Sequence, residues 1–376
     1  MDFLAYFPAA ILGYGSYVAS LLVALTVIVF IHEYGHFKVA RLCGMKVDVF
    51  SIGFGREVWG RTDRFGTRWK IGWLPIGGYV KFAGDLNGAS QPDLDQAPKP
   101  DEFHGKPIWQ RALVVTAGPV ANFILAFALF TGYYFLGDQI PGNRIGEVIA
   151  GSPAAEAGLQ RNDVVRKIDG ESVYAFGDIV AIVSSSPGKS LAFDIDRSGS
   201  SVTLSITPRP TVEDRGFFGK FTFGRIGAGS SQDASNFHHV PLLKAIELSA
   251  KQIEGMVGSI LQYLGRLFSG HDSMAQLGGV GTMAKLSGDA ASIGIFPYLY
   301  MIAVLSVSIG LINLFPIPML DGGHLVFYAI EAVRRKPLGP QAQEWSFRIG
   351  FVVVIFIMLV GNVNDLMRAL FGNLAY

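Results

Sequence analysis

Charge is scarce in this sequence, and cysteine scarcer still. Charged residues make up 16% of the 376-residue chain, against about a quarter in a soluble domain, while half of the residues are hydrophobic. The deficit argues against a soluble protein and for an integral membrane one. Lys and Arg number 31 against 30 Asp and Glu, for a net charge of +1. With no run of basic residues, the sequence points to no nucleic acid partner. The single Cys43 excludes an intramolecular disulfide and a Cys-based zinc site. Any metal must be held by nitrogen and oxygen.

What the chain does have is long apolar runs. Four of them, Tyr17–Ala40, Ala112–Phe135, Ile295–Pro316 and Phe347–Met367, reach the roughly 20 residues that cross a bilayer. The opening "MDFLAYFPAAILGYGS" has no basic n-region, so the first run is expected to be a retained span rather than a cleaved signal. Lys38, Arg41, Lys46, Arg56, Arg61, Arg64, Arg68, Lys70 and Lys81 follow the first run, and Lys106 and Arg111 precede the second. Arg334, Arg335 and Lys336 follow the third. Positive loops stay cytoplasmic, which puts both termini and the segment between spans two and three outside.

Between the first two spans, "FSIGFGREVWG" and "RWKIGWLPIGGYVKFAG" read as short strands with glycine turns, a small sheet at the membrane interface. "DLNGASQPDLDQAPKPDEF" is acidic and proline-bearing, and is expected to be flexible. From Arg144 to about Pro208 the composition is that of a soluble domain. "DVVRKIDG" is a strand ending in an Asp-Gly turn, "AFGDIVAIVSSSPG" a helix, and "SLAFDIDRSGSSVTLSITP" an alternating hairpin. With "GSPAAEAGLQRNDVVRKIDG" at its start, this order of elements resembles a bacterial-type PDZ domain; the alternative is a small β-rich domain without a peptide-binding role. Residues Val240–Phe268 carry apolar positions at helical spacing, an amphipathic helix for the membrane surface or for packing the PDZ-like domain onto the spans. "LGGVGTMAKLSG" (Leu277–Gly288) lacks the Gly-Lys-Ser/Thr of a phosphate loop and reads as a flexible connector.

The first span carries His32, Glu33 and His36 within "VALTVIVFIHEYGHFKVARLCG". This is H-E-x-x-H: two imidazoles on one helical face to bind zinc, and a glutamate to activate water. Ionisable groups in lipid are costly unless paired or coordinated; the bland reading is a histidine pair hydrogen-bonded in the bundle with Glu33. A catalytic zinc usually takes three protein ligands and leaves one position open. In "INLFPIPMLDGGHLVF", Pro316 and Pro318 break the third span, and Asp321 follows. Such a break is tolerated where backbone lines protein or a cavity, so Asp321 is preferred as third ligand and His324 is its rival.

H-E-x-x-H in the first span, N-x-x-P-x-P-x-L-D-G in a later one and a PDZ-like insertion between them resemble the site-2 protease family of intramembrane zinc metalloproteases. "FSIGFG", "PIGGYVK" and "AGPVANF" look like its bacterial regulator-of-sigma-E protease branch. The resemblance implies one Zn2+ per chain held by His32, His36 and Asp321, with Glu33 as general base. It implies that Asn313 steadies substrate or intermediate and that the sheet at Gly77, Gly78 and Tyr79 pairs with an unwound substrate strand. Implied substrates are single-pass transmembrane proteins already cut outside, anti-sigma factors or remnant signal peptides. The implied setting is the lipid bilayer of the bacterial inner membrane, with the PDZ-like domain periplasmic and the active site near the cytoplasmic side. One departure is the single PDZ-like segment, where well-known members carry two in tandem.

The expected fold is a polytopic α-helical membrane protein with four transmembrane helices, a membrane-associated small β-sheet and an inserted PDZ-like α+β domain. Its expected segments are 1–40 (first helix), 41–110 (cytoplasmic loop with sheet), 111–137 (second helix) and 138–210 (PDZ-like domain). Then come 211–294 (linker and amphipathic helix), 295–320 (third segment), 321–346 (cytoplasmic loop) and 347–376 (fourth helix and C-terminus). A non-catalytic PDZ scaffold is the alternative function, but a scaffold gains nothing from H-E-x-x-H and Asp321 in lipid. A cytosol-facing metalloprotease would need a glutamate ligand on a soluble helix, and no candidate is as well placed as Asp321. A zinc transporter would need polar residues along several spans, and the fourth has almost none.

Overall fold

An unbroken apolar sequence in which few residues compete for the backbone favours a helix, and α1 (Phe3–Leu42) is one. It ends where Gly44 turns left-handed at φ +68°. The Met45 amide returns to the Ala40 carbonyl and the Gly44 amide to Arg41, the paired bonds of a Schellman cap. The structure, a computed structural model, describes residues 3–85, 99–137, 140–214, 220–233, 237–269, 274 and 277–371. The core of the acidic stretch expected to be flexible, residues 86–98, lies outside them.

After the cap the chain forms one long antiparallel hairpin, β1 (Val47–Thr62) and β2 (Arg68–Phe82), rather than two short strands. Register shifts along the pair interrupt the side-chain alternation, which hid its length in the sequence. The end nearest α1 buries Val47, Phe50, Val80 and Phe82 against Phe37 and Met45. The far end exposes Val58, Trp59 and Trp73, as suits a membrane-associated sheet. Next comes α2 (Ile108–Leu136), with Pro119 inside it.

The chain divides into two compact units, one comprising residues up to Tyr133 with Leu248–Ile260 and Leu277–Ala375, the other Tyr134–Glu247 with Leu261–Gln276. The second unit contains β3 (Ile140–Pro141), β4 (Ile145–Val148), α3 (Pro153–Glu156), β5 (Val164–Ile168), β6 (Glu171–Ser172) and α4 (Phe176–Ser184). They are followed by β7 (Leu191–Arg197), β8 (Ser200–Ile206), β9 (Arg209–Asp214), β10 (Lys220–Arg225), β11 (Ala228–Ser230) and β12 (Phe237–His238). Strands β6-β5-β7-β8 form a four-stranded sheet. Its turns are Asp169-Gly170 and Ser198-Gly199, all four at positive φ, as two-residue hairpin turns require. Ile145, Val165, Ile168, Phe193, Ile195 and Ile206 fill the core beneath α4's Ile179 and Val183, a PDZ-like α+β domain. The domain does not stop at residue 210. Without β11 the edge of β4 would be bare, and β11 pairs with it while Ile226 enters the core.

The amphipathic stripe forms α5 (Leu242–Phe268). The supposed flexible connector is a helix, α6 (Val280–Ile293), so that expectation is corrected. Its glycines serve packing: a Cβ on Gly288 would collide with the Tyr17 ring, and one on Gly279 would lie 2.7 Å from the Gly361 carbonyl. Its first amides are satisfied from afar, Val280 N–H by Asn362 Oδ1 at 3.2 Å and Thr282 N–H by Asp365 Oδ2 at 2.8 Å. Then follow α7 (Ile295–Asn313), α8 (Asp321–Arg334) and α9 (Pro340–Phe371). Residues 321–346, expected as a loop, are thus largely helical. Among the described residues four helices are long and apolar enough to cross a membrane: Gly15–Leu42, Ile108–Leu136, Ile295–Asn313 and Gln341–Leu370. Ala24 and Ile28 of α1 pack on Ile302 of α7, with Leu125 and Leu129 of α2 against them. The fold is that of a polytopic helical membrane protein.

Candidate active site and metal centre

Four residues apart on a helix means one turn and a shared face. His32 and His36 accordingly stand together on α1, ring centroids 4.8 Å apart and planes nearly perpendicular at 83°. Their Nε2 atoms are 3.2 Å apart. Asp321 reaches them from the start of α8. Its Oδ2 is 3.1 Å from His32 Nε2 and its Oδ1 3.5 Å from His36 Nε2.

The backbone between α7 and α8 explains how a carboxylate comes to this spot. Pro316 and Pro318 cannot continue a helix, and Met319 sits at φ +88°, a conformation disfavoured for a long side chain and found at functional sites. The chain reverses within these few residues. Gly322 and Gly323 then let α8 start against the carbonyls of residues 314–317; a Cβ on Gly323 would lie 2.5 Å from Ile317 O. At the far side α8 is tied to α2 by Arg111, whose guanidinium donates to both carboxylate oxygens of Glu331 at 2.6 and 3.2 Å.

Does this cluster fit a zinc ion? Bonds of about 2.0–2.1 Å in a tetrahedron place neighbouring ligand atoms about 3.3 Å apart, and the three observed separations bracket that value. Asp321 Oδ2 is buried and has no hydrogen bond of acceptable geometry, although His32 Nε2 lies at 3.1 Å. Two imidazole nitrogens and a carboxylate oxygen converge within the reach of one ion, and these are the nitrogen and oxygen donors that zinc takes. The outer contacts agree: His36 Nδ1 is 2.8 Å from the Val114 carbonyl, which fixes its proton on Nδ1 and leaves Nε2 free to ligate. Among the described residues this is the one group of three such side chains within reach of one ion.

Glu33 lies beside the cluster on α1, and Gly78 of β2 closes over it. A Cβ on Gly78 would come within 3.1 Å of Glu33 Cγ and 2.7 Å of the Ser51 carbonyl, so any larger residue would displace the glutamate or part the strands. His32, Glu33, His36, Asn313, Asp321 and the strand residues Gly77, Gly78 and Tyr79 all line one cavity of about 440 Å³. Every residue singled out in the sequence is therefore brought to the same place. His324 lines it too, but its ring packs among Phe327, Tyr328 and Phe347 and it is not one of the converging ligand atoms. Asp321, rather than His324, is the third of the side chains that could hold an ion together. Reading the sequence missed Gly118 and Asn122 of α2. A Cβ on Gly118 would overlap His36 Nε2 and lie 2.9 Å from His32 Cε1, and Asn122 Nδ2 is 3.3 Å from His32 Nδ1. Both stand in "AGPVANF", but nothing local in that stretch announces a partner on α1.

Known proteins are similar to this chain in sequence over most of its length. Residues 20–357 match the family described as Peptidase family M50. A protein of Agrobacterium fabrum named as a zinc metalloprotease is 40% identical over 93% of this chain and 95% of its own length. The metalloprotease MmpA of Caulobacter vibrioides is 38% identical over 95% of this chain and 97% of its own. The regulator of sigma-E protease RseP of Salmonella typhimurium is 30% identical over 93% and 98%, in an alignment of 450 positions. That alignment is longer than this chain, so RseP carries residues with no counterpart here. Among solved structures, the PDZ domain of an SdrC-like protein from Listeria innocua matches 26% of this chain and 99% of that one, at 20% identity and a TM-score of 0.20.

Proposed function

This chain belongs to peptidase family M50 and is a membrane-embedded zinc metalloprotease, and from that premise we propose that it cuts peptide bonds inside the transmembrane segments of single-pass proteins. One observation carries the proposal: the converging ligands and Glu33 lie in or beside helices apolar enough to span a bilayer, in a cavity that also opens on a strand. A protease for soluble peptides has no reason to place its site there.

His32, His36 and Asp321 would hold the zinc. When bound, zinc lowers the pKa of water toward neutrality and polarises a carbonyl. Glu33 takes the proton from the attacking water at a carboxylate oxygen and passes it to the leaving nitrogen, the work of a general base turned acid. Asn313, at the end of α7 and on the cavity wall, offers its amide N–H to the oxygen on which charge develops. A transmembrane helix must unwind before it can be cut, losing its internal hydrogen bonds. Among the described strands β2 pairs with β1 alone, in a two-stranded sheet. Its other edge at Gly77, Gly78 and Tyr79 would pair with the unwound strand and replace those bonds.

The substrates we propose are anti-sigma factors or remnant signal peptides already cut outside. In this reading the termini and the PDZ-like domain are periplasmic and the active site is near the cytoplasmic face, as the basic residues around the first two spans favour. The PDZ-like domain has a groove between α4 and the stretch Phe223–Ala228, either a peptide reader or a filter against untrimmed substrates. The test is cleavage, in detergent, of one single-pass substrate with and without its folded external domain. Cutting of the trimmed form alone is expected. Equal cutting of both would refute the need for a prior cut, and cutting only of water-soluble peptides would refute the intramembrane reading.

A further inference from the structure

His36 and His32 differ in their outer contacts, and the difference carries an inference that rests on the zinc reading above. The ring of His36 has its acceptor, the Val114 carbonyl at 2.8 Å. The ring of His32 has Asn122, with Nδ2 3.3 Å from His32 Nδ1. In that orientation the amide donates to a bare Nδ1, and the imidazole proton then belongs on Nε2, the atom turned toward His36 and Asp321. A histidine that ligates through Nε2 must instead carry its proton on Nδ1 and give it to an acceptor. Asn122 has one to offer. Its Oδ1 is buried and without a partner, so the long contact to His32 is all that sets the amide's present sense, and the side chain is symmetric enough in shape to turn over in place.

We propose that Asn122 is a positioning residue of the zinc centre: its amide turns over on loading, and Oδ1 accepts the Nδ1–H of His32, fixing the tautomer that ligates. The surroundings hold the residue for that task. Asn122 is fully buried, its backbone carbonyl accepts from Ser306 Oγ at 2.8 Å, and Gly310 of α7 leaves room for its Cβ, which a Cβ there would approach to 3.2 Å. Gly118, four residues earlier on α2, faces the two imidazoles. The four-residue spacing of Gly118 and Asn122 thus matches that of His32 and His36, one position supplying space and the other a bond. The same amide serves both states, as donor to His32 without metal and as acceptor with it.

The experiment compares the full chain in detergent with Asn122→Leu and Asn122→Asp, measuring the zinc dissociation constant by competition with a chromophoric chelator and the thermal unfolding of the metal-free protein. Leu keeps the approximate volume and removes the acceptor; Asp keeps an acceptor and removes the donor. Asn122→Leu should weaken zinc binding about ten- to a hundredfold, while Asn122→Asp binds at least as tightly as the unaltered protein. Unchanged zinc binding in Asn122→Leu overturns the proposal. So does a parallel loss in both variants, which marks a helix-packing role. If Asn122→Leu does not fold, Asn122→Asp decides alone: affinity kept or raised supports the proposal, and a tenfold loss overturns it. Because the readout is zinc and not cleavage, failure here leaves the proteolytic reading standing, and failure to cut any transmembrane substrate leaves this one standing.

Discussion

Gly118→Ala adds one methyl group and is expected to do more harm to the metal than to the fold. The added Cβ would overlap His36 Nε2 and stand 2.9 Å from His32 Cε1. Carbon atoms in contact sit about 3.5 Å apart or more, so the His32 ring must retreat by about 0.6 Å and the His36 ring further. Both atoms are at the ends of side chains, so the metal-free protein can yield, at a cost within the roughly 1–3 kcal/mol of ordinary overpacking. Zinc cannot follow both rings. Displacing a reacting group by about 1 Å costs on the order of a hundredfold in rate. The assay is zinc per chain after dialysis against a weak chelator, beside the melting temperature of the metal-free protein and cleavage of a single-pass substrate. Gly132→Ala on the same helix is the control, since its Cβ meets nothing within 4 Å. Loss of zinc and of cleavage with a nearly unchanged metal-free melt is expected for Gly118→Ala alone. Full zinc occupancy and full activity in Gly118→Ala would refute the placement of the two imidazoles against α2.

Other perturbations separate the parts of the structure. Asp321→Asn keeps the shape and removes the charge, and should leave well under one zinc per chain, whereas His324→Phe, set among aromatic rings, should retain about one. Metal analysis of the two settles the third ligand. Gly350→Ala would drive a Cβ into the Pro318 carbonyl, pushing the turn that carries Asp321; overpacking of roughly 1–3 kcal/mol should appear as a lower melting temperature together with weaker zinc binding. In the PDZ-like domain, Arg197 donates to both oxygens of Asp163 at 2.8 and 2.7 Å, and Asp163 is 1% exposed. Arg197→Ala leaves that carboxylate with the Gln160 amide and should cost about 2–3 kcal/mol, read as faster hydrogen exchange confined to β5, β7 and β8.

How much of this could be read in the sequence depended on whether the signal was local. H-E-x-x-H declares itself because the helix repeat alone brings its two histidines together, and because ionisable groups in an apolar run demand a reason. Asp321 was legible through the two prolines before it. The β7–β8 hairpin was legible because strict alternation flanks a turn that only left-handed residues can make. The connector at Leu277–Gly288 was misread for the opposite cause. Its glycines look flexible locally, but they answer to Tyr17 and Gly361, and its amides to Asp365 at a separation of 83 residues. Asn122 is the same case. A buried asparagine in an apolar span has no stated purpose until His32 is seen against it.

The most direct measurement sets the unaltered protein beside Glu33→Gln, purified in detergent, and determines both zinc per chain and cleavage of a trimmed single-pass substrate. The substitution preserves the side-chain volume and removes only the base, while His32, His36 and Asp321 remain. About one zinc per chain in both, with cleavage in the unaltered protein only, is the expected result. Equal cleavage by both, or loss of zinc from Glu33→Gln, would contradict the assignment of Glu33 as the proton carrier beside a three-ligand metal centre.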